Sequence, residues 1–272
     1  MNVAQTLQQA ARDLAGVSDT PRLDAELLLA HAMGISREAL LLGPPDATVP
    51  EAFRDLVARR LKDEPVAYIV GHRAFWTIEL LVTPAVLIPR PDSETLIEAA
   101  IAHFGTRAPQ RILDLGTGSG ALLLAALDHW PQAQGLGIDQ SVAALAVARA
   151  NADRLGLAPR ARFAEAGWET AADGGYDLVL CNPPYIEAGA ELPAQVVGHE
   201  PPSALFAGAD GLEDYRHIAP ALALPPDGVA CIEIGATQAR AVRGLFEAEG
   251  FLTHVKRDLA GHDRCVVVTN IG

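Results

Sequence analysis

The feature that most constrains this chain starts at Arg111, where short apolar runs begin to alternate with stretches of helical spacing. Residues 111–115 read as a buried strand, Gly116-Thr117-Gly118-Ser119-Gly120 as a turn, and residues 121–130 as a helix. A second strand over 134–138 ends in Asp139, and a second helix covers 141–155. Further strands fit 161–164, 177–181, 228–234, 252–257 and 264–269, with a helix at 238–249 before the last pair. This repeat predicts a doubly wound, mostly parallel α/β sheet of Rossmann-like type, with ligands at the carboxyl ends of the strands near the switch point. The two strands close together at the C-terminus predict an antiparallel edge.

Before that repeat the pattern is helical. Leu7, Ala11 and Leu14 recur at helical spacing, as do Leu23, Leu27 and Ala30, with Asp19 or Thr20 as an N-cap and Pro21 in the first turn. Gly34 ends that helix, Ser36 opens a short one, Gly43-Pro44-Pro45 breaks the chain, and a further helix spans 50–63. From residue 71 the composition turns to β-formers over 74–82, which reads as a hairpin joining two domains. The loop from Leu87 to Glu94, with Asp92 or Ser93 capping the next helix, either belongs to that joint or folds over an active site. The expected division is therefore 1–70 helical, 71–90 hairpin linker and 91–272 sheet domain.

A glycine turn after a first strand lets a ligand approach the backbone closely. Here the spacing is Gly-x-Gly-x-Gly rather than the Gly-x-Gly-x-x-Gly of dinucleotide folds. Asp139, about 20 residues on, suits ribose hydroxyls and is neutral between NAD and S-adenosylmethionine. Asp114 favours the second. A carboxylate before the turn repels a pyrophosphate but favours a ligand carrying an ammonium and a sulfonium, which is S-adenosylmethionine.

The strand at 177–181 stops at Asn182-Pro183-Pro184-Tyr185. Two prolines hold the backbone extended and stiff, so an amide, a carbonyl and an aromatic ring are presented at one strand end beside the donor. A planar amide or exocyclic amine is a poor nucleophile because its lone pair is delocalised. The Asn182 side-chain oxygen and the Pro183 carbonyl can accept its two N–H bonds and aim the lone pair, while Tyr185 stacks on the flat acceptor. Orientation then carries the catalysis, with no general base in view.

The formal net charge of −13 argues against a nonspecific nucleic-acid binder, which needs a basic footprint. Cys181, Cys231 and Cys265 lie in separate apolar runs without a Cys-x-x-Cys partner, so neither a metal site nor a disulfide framework is expected. His31 reads as a surface or packing residue. No apolar run approaches membrane length and no secretory signal stands at the start, which places the expected home in the cytoplasm.

In these motifs the chain resembles the HemK/PrmC family, the N5-glutamine methyltransferases of class I peptide chain release factors. The resemblance runs through Glu64-Pro65-Val66-Ala67-Tyr68-Ile69-Val70-Gly71, Leu87-Ile88-Pro89-Arg90-Pro91 with Glu94, and Asp114 to Gly120. It continues through Asn182 to Tyr185, Glu200-Pro201 with Asp210-Gly211-Leu212, and Asp258-Leu259-Ala260-Gly261 with Asp263-Arg264. It implies a class I methyltransferase sheet behind a helical substrate-docking domain. It also implies that Gly116, Thr117, Gly118, Ser119, Gly120, Asp139, Trp168 and Asn182 contact S-adenosylmethionine. Asn182, Pro183, Pro184 and Tyr185 are implied to hold the glutamine of a Gly-Gly-Gln loop in a release factor. Gly167 stands where the family usually has Asp, and Ser93 where it usually has Thr. The implied partner is the release factor, without membrane or direct nucleic acid, and the chain itself is expected to be a monomer. Two rival readings are an adenine-N6 methyltransferase of nucleic acid and a non-catalytic binding protein on the same scaffold.

Overall fold

The computed structural model describes residues 2–43 and 48–271, so the prolines of the expected break at Gly43-Pro44-Pro45 lie outside the described residues. The chain divides into two compact units: Met1–His72 with Leu192–Glu200, and Arg73–Glu191 with Pro201–Gly272.

The first unit holds helices α1 (Val3–Leu14), α2 (Pro21–Met33), α3 (Arg37–Leu41), α4 (Ala52–Arg60) and α5 (Val66–Val70). A capping box starts α1: the Asn2 side chain accepts from Gln5 N, and the Gln5 side chain accepts from Asn2 N. Ser36 caps α3 through Ala39 N, and Gly34 closes α2 in the left-handed conformation at φ 66°. In α2 the core face is Ala25, Leu28, Leu29 and Ala30, whereas Leu23, expected on that stripe, is exposed. The helix is turned this way because its acids are buried beside cations. Asp24 pairs with Arg60 of α4 at 2.9 Å, and Glu26 pairs with Arg22 and Arg37. Breaking a buried pair of this kind by removing one partner costs about 3–5 kcal/mol. Leu192–Glu200, from the middle of the expected sheet domain, belongs here: Arg60 also donates to Val17 O and to Gln195 Oε1.

Apart from His72, the last residue of the first unit's main segment, a two-stranded sheet of β1 (His72–Phe75) and β2 (Ile78–Leu81) opens the second unit, and helix α6 (Glu94–Phe104) follows. The alternation follows: β3 (Arg111–Leu115), α7 (Ala121–His129), β4 (Gln134–Asp139), α8 (Val142–Arg154), β5 (Ala161–Glu165) and β6 (Leu178–Cys181). After α9 (Ala194–His199), which belongs to the first unit, come α10 (Glu213–Ala221), β7 (Val229–Glu233), α11 (Ala239–Ala248), β8 (Phe251–Arg257) and β9 (Asp263–Asn270).

The seven strands run in the order β5-β4-β3-β6-β7-β9-β8. All pairings are parallel up to β7, and β9 then pairs antiparallel with both β7 and β8, which makes the antiparallel edge. Strand alternation divides the core. Ile112, Leu178, Leu180, Val229 and Val267 face α6 and α7, while Leu113, Leu115, Val179, Ala230 and Val266 face α10 and α11. Each fully buried leucine here stabilises the fold by about 1.5–3 kcal/mol. Chain order reverses at β3, which has β4 on one side and β6 on the other. The switch point therefore lies between the glycine turn after β3 and the Asn-Pro-Pro-Tyr segment after β6. Among the described residues, no helix is long and apolar enough to cross a membrane.

Candidate active site

Above that switch point lies a cavity of about 450 Å³. Its first wall is the glycine turn. Gly116, Gly118 and Gly120 have φ of 69°, 54° and 83°, the left-handed region where a side chain is strained. The turn is tied down by Thr117 N donating to Ile138 O at 2.8 Å and by Gly118 N donating to Asp139 Oδ2 at 2.9 Å. Asp139 Oδ1 accepts from Ser141 N at 2.8 Å, so both carboxylate oxygens are aimed while each keeps a lone pair for a ligand hydroxyl.

Asp114 is the residue between Leu113 and Leu115, and alternation turns it from their core face toward the start of α7. Its Oδ2 accepts from Thr117 Oγ1 at 2.6 Å and from Leu123 N at 3.3 Å, while Oδ1 is buried without a partner. Burial pushes its pKa up to about 7. Asp114 lines the cavity. A buried carboxylate oxygen with nothing to accept from is a site prepared for a cationic donor.

Trp168 faces the turn from a 3₁₀ segment, Trp168–Asp173. Its Nε1 donates to Asp214 Oδ1 at 2.8 Å, which fixes the ring. A Cβ on Gly116 would lie 3.1 Å from Trp168 Cη2. Gly116→Ala is therefore expected to strain the turn by about 1–2 kcal/mol and to displace the ring as well. Gly118→Ala is the control, because its φ is also positive but nothing lies within 4 Å of the added Cβ. Calorimetry should find donor affinity lowered more by Gly116→Ala than by Gly118→Ala; equal losses would remove the ring from the site. At Gly167, where a family aspartate was expected, the Glu169 carboxylate occupies the space a side chain would need.

Opposite the turn stands the tip of β6. Asn182 and Pro184 line the cavity, and Asn182 Nδ2 donates to Ser93 Oγ at 3.2 Å. That bond uses the N–H end of the amide and leaves Oδ1 to accept from a ligand. Ser93 occupies the position before α6 but makes no side-chain cap there, so the expected capping role is replaced by this support of Asn182. Cys181, the residue before, is buried on the opposite face with its thiol pKa pushed well up by burial, which makes it inert. Pro183 is buried and off the cavity wall.

Tyr185 also lies off the wall. Its hydroxyl donates to Glu233 Oε1 at 3.3 Å, and its carbonyl accepts from Gln238 Nε2 at 2.9 Å. The structure thus gives Tyr185 a tethering place rather than the stacking face expected from the sequence. Gly211 packs so closely on the Tyr185 carbonyl that a Cβ there would collide with it.

The structure brings Gly116, Thr117, Gly118, Ser119, Asp139, Trp168, Asn182 and Pro184 to one cavity, and Gly120 becomes the N-cap of α7 beneath it. The segment from Ala85 to Arg90 lines the same cavity, which resolves the two readings of that loop in favour of the one that reaches the site. Sequence reasoning missed Asp214, Glu233 and Gln238. Each lies far along the chain from the motif it supports, and only the neighbouring Asp210-Gly211-Leu212 hinted at this region.

Family models match in two places: the PrmC N-terminal domain over residues 5–71 and the methyltransferase small domain over residues 93–199. A Rhodospirillum rubrum protein named release factor glutamine methyltransferase is 46% identical over 263 residues, 93% of this chain and 80% of that one. A Cereibacter sphaeroides protein of the same name is 45% identical over 278 residues, 98% of each chain. Among solved structures, the hMettl16 catalytic domain in complex with an RNA hairpin of the MAT2A 3′UTR superposes with a TM-score of 0.57. It is 15% identical and covers 84% of this chain and 85% of that one. The Thermus thermophilus 16S rRNA methyltransferase RsmC, in complex with AdoMet and guanosine, gives a TM-score of 0.51. It is 20% identical and covers 74% of this chain and 50% of that one. The two structural likenesses speak to the fold alone.

Proposed function

We propose, because this chain belongs to the family of release factor glutamine methyltransferases, that it methylates the side-chain amide nitrogen of the glutamine in the Gly-Gly-Gln motif of class I peptide chain release factors. The methyl donor is S-adenosylmethionine. The observation that carries the acceptor reading is the tip of β6: an amide whose N–H end is engaged by Ser93 and whose oxygen end is left for a planar N–H donor.

The cavity's own groups fit the donor. The unpartnered Oδ1 of Asp114 suits an ammonium, Asp139 suits ribose hydroxyls, and the edge of Trp168 closes the space above Gly116. When bound, the donor supplies a methyl group on a sulfonium, already activated as an electrophile. Asn182 Oδ1 accepts one N–H of the acceptor amide and turns its lone pair out of conjugation toward that methyl group. Tyr185, Gln238 and Gly211 keep the tip rigid, so the Asn182 oxygen is in place before the substrate amide arrives. The N–CH3 bond forms as the S–CH3 bond breaks to leave a neutral thioether; no side chain removes a proton before the transfer, and the methylated nitrogen then gives up one of its two protons to water.

The acceptor is tested by incubating the enzyme with a class I release factor and labelled donor, followed by mass spectrometry of the Gly-Gly-Gln peptide. One added methyl group on that glutamine is the expected result. Label transferred to nucleic acid and none to the release factor would replace this reading with the adenine-N6 one, against which the net charge of −13 already stands.

A further inference from the structure

Behind the tip of β6 lies a buried acid that the mechanism above does not use. Glu233 ends β7, is 1% exposed, and has one oxygen, Oε2, buried without a hydrogen-bond partner. Its other oxygen accepts from the Tyr185 hydroxyl at 3.3 Å. Of the neighbours that lower the Glu233 pKa, the Ser93 hydroxyl is the strongest. Ser93 Oγ in turn accepts from Asn182 Nδ2.

A hydroxyl has one hydrogen to give. An ionised carboxylate can only accept, so a buried one short of a donor draws that hydrogen to itself. Ser93 is then left with lone pairs alone toward Asn182, and the only end of the amide that can meet a lone pair is Nδ2. The oxygen end must face the other way. We propose that Glu233, acting through Ser93, sets which end of the Asn182 amide is offered to the acceptor, and is thereby a positioning residue for methyl transfer.

The inference rests on the reading of Asn182 as the amide clamp and adds to it a switch. Protonated Glu233 is itself a donor. It can give its hydrogen to Ser93, whose own hydrogen is then free to meet Asn182 Oδ1 and turn the amide over. Burial places this protonation at about pH 7. The groups facing Glu233 are Asp92 and Ser93 before α6, Tyr185 and Cys181 at the end of β6, Tyr215 of α10, and Arg264 and Cys265 of β9. Arg264 is the cation among them and favours the ionised form, while Asp92 opposes it.

The experiment measures kcat at saturating donor, with a class I release factor as acceptor, between pH 6 and 8. Wild-type kcat should be about tenfold lower at pH 6 than at pH 8 as Glu233 protonates. Glu233→Gln carries both a donor and an acceptor and so loses the bias: kcat should be about tenfold below wild type at pH 8 and flat with pH, with donor affinity little changed. Ser93→Ala should give the same flat profile, and Ser93→Thr, which keeps the hydroxyl, should retain the acid limb. The double variant Glu233→Gln/Ser93→Ala should be no worse than either single one. A Glu233→Gln enzyme that keeps both the acid limb and a kcat within twofold of wild type overturns the proposal; if that variant does not fold, Ser93→Ala decides in the same way. Wild-type enzyme that leaves the release factor unmethylated at every pH counts against the acceptor alone. In that case the Asn182 side-chain amide signal, followed by NMR, decides: it should titrate near pH 7 in wild type and not in Glu233→Gln, and a signal that does not move in wild type overturns the proposal.

Discussion

Replacing Asn182 by alanine is expected to lower kcat by about 10²–10³-fold, the scale seen when one preorganised hydrogen-bonding group is removed from a reacting centre. The fold should survive. Asn182 is only partly buried and belongs to neither hydrophobic cluster of the sheet, and the bond it loses is the one to Ser93. Losing a single such bond costs about 0.5–1.5 kcal/mol, so the melting temperature should move by a few degrees at most. Asn182→Asp sharpens the test. An aspartate keeps an acceptor oxygen but sets a second carboxylate against Ser93, whose single hydrogen cannot serve both the introduced carboxylate and Glu233. It should therefore stay well below wild type although it is the smaller change. Methyl-transfer assays with melting curves on both variants give the answer; kcat above half of wild type in Asn182→Ala would remove the amide clamp from the mechanism.

Much of this architecture could be read from the sequence because it is written in local patterns. The run Arg111–Leu115, its glycine turn and Asp139 each sit within a few residues of the feature that explains them, and the sheet follows from repetition. The parts that stayed hidden depend on contacts between distant segments. Nothing near Leu23 in sequence says that Asp24 and Glu26 will be buried against Arg60 and Arg37, and that pairing is what turns α2 away from its expected stripe. Ser93 looked like a helix cap because serine before a helix usually is one, and its real partner lies 89 residues away. Tyr185 shows the same limit: the motif marked the residue, but only the fold could show that Glu233 and Gln238 hold it behind the tip. Most of the residues that line the cavity were legible; those that hold them in place were not.

The second large effect is expected at the other end of the cavity. Asp114→Asn should weaken S-adenosylmethionine about 10- to 100-fold, because a hydrogen bond between ions is worth about 1.5–3 kcal/mol and the variant offers the ammonium a neutral oxygen. In wild type the same affinity should depend on pH. Burial raises the Asp114 pKa to about 7, so at pH 6 most of the empty protein carries the neutral acid, and binding should be severalfold weaker than at pH 7.5. The window closes above about pH 7.7–8.0, where an α-amino group loses its own proton. The sign for stability is the opposite. An acid whose folded pKa is raised contributes stability that is fully present below its unfolded value, 3.8, and is lost as pH rises to about 7. The ligand-free protein therefore holds Asp114 ionised at pH 8 at a cost in stability, and Asp114→Asn removes that cost. One substitution should weaken donor binding and raise the melting temperature of the ligand-free protein at pH 8 relative to wild type, with the gain vanishing toward pH 4. Calorimetry and melting curves on the same preparations separate this from a packing defect, which would lower both affinity and melting temperature at every pH.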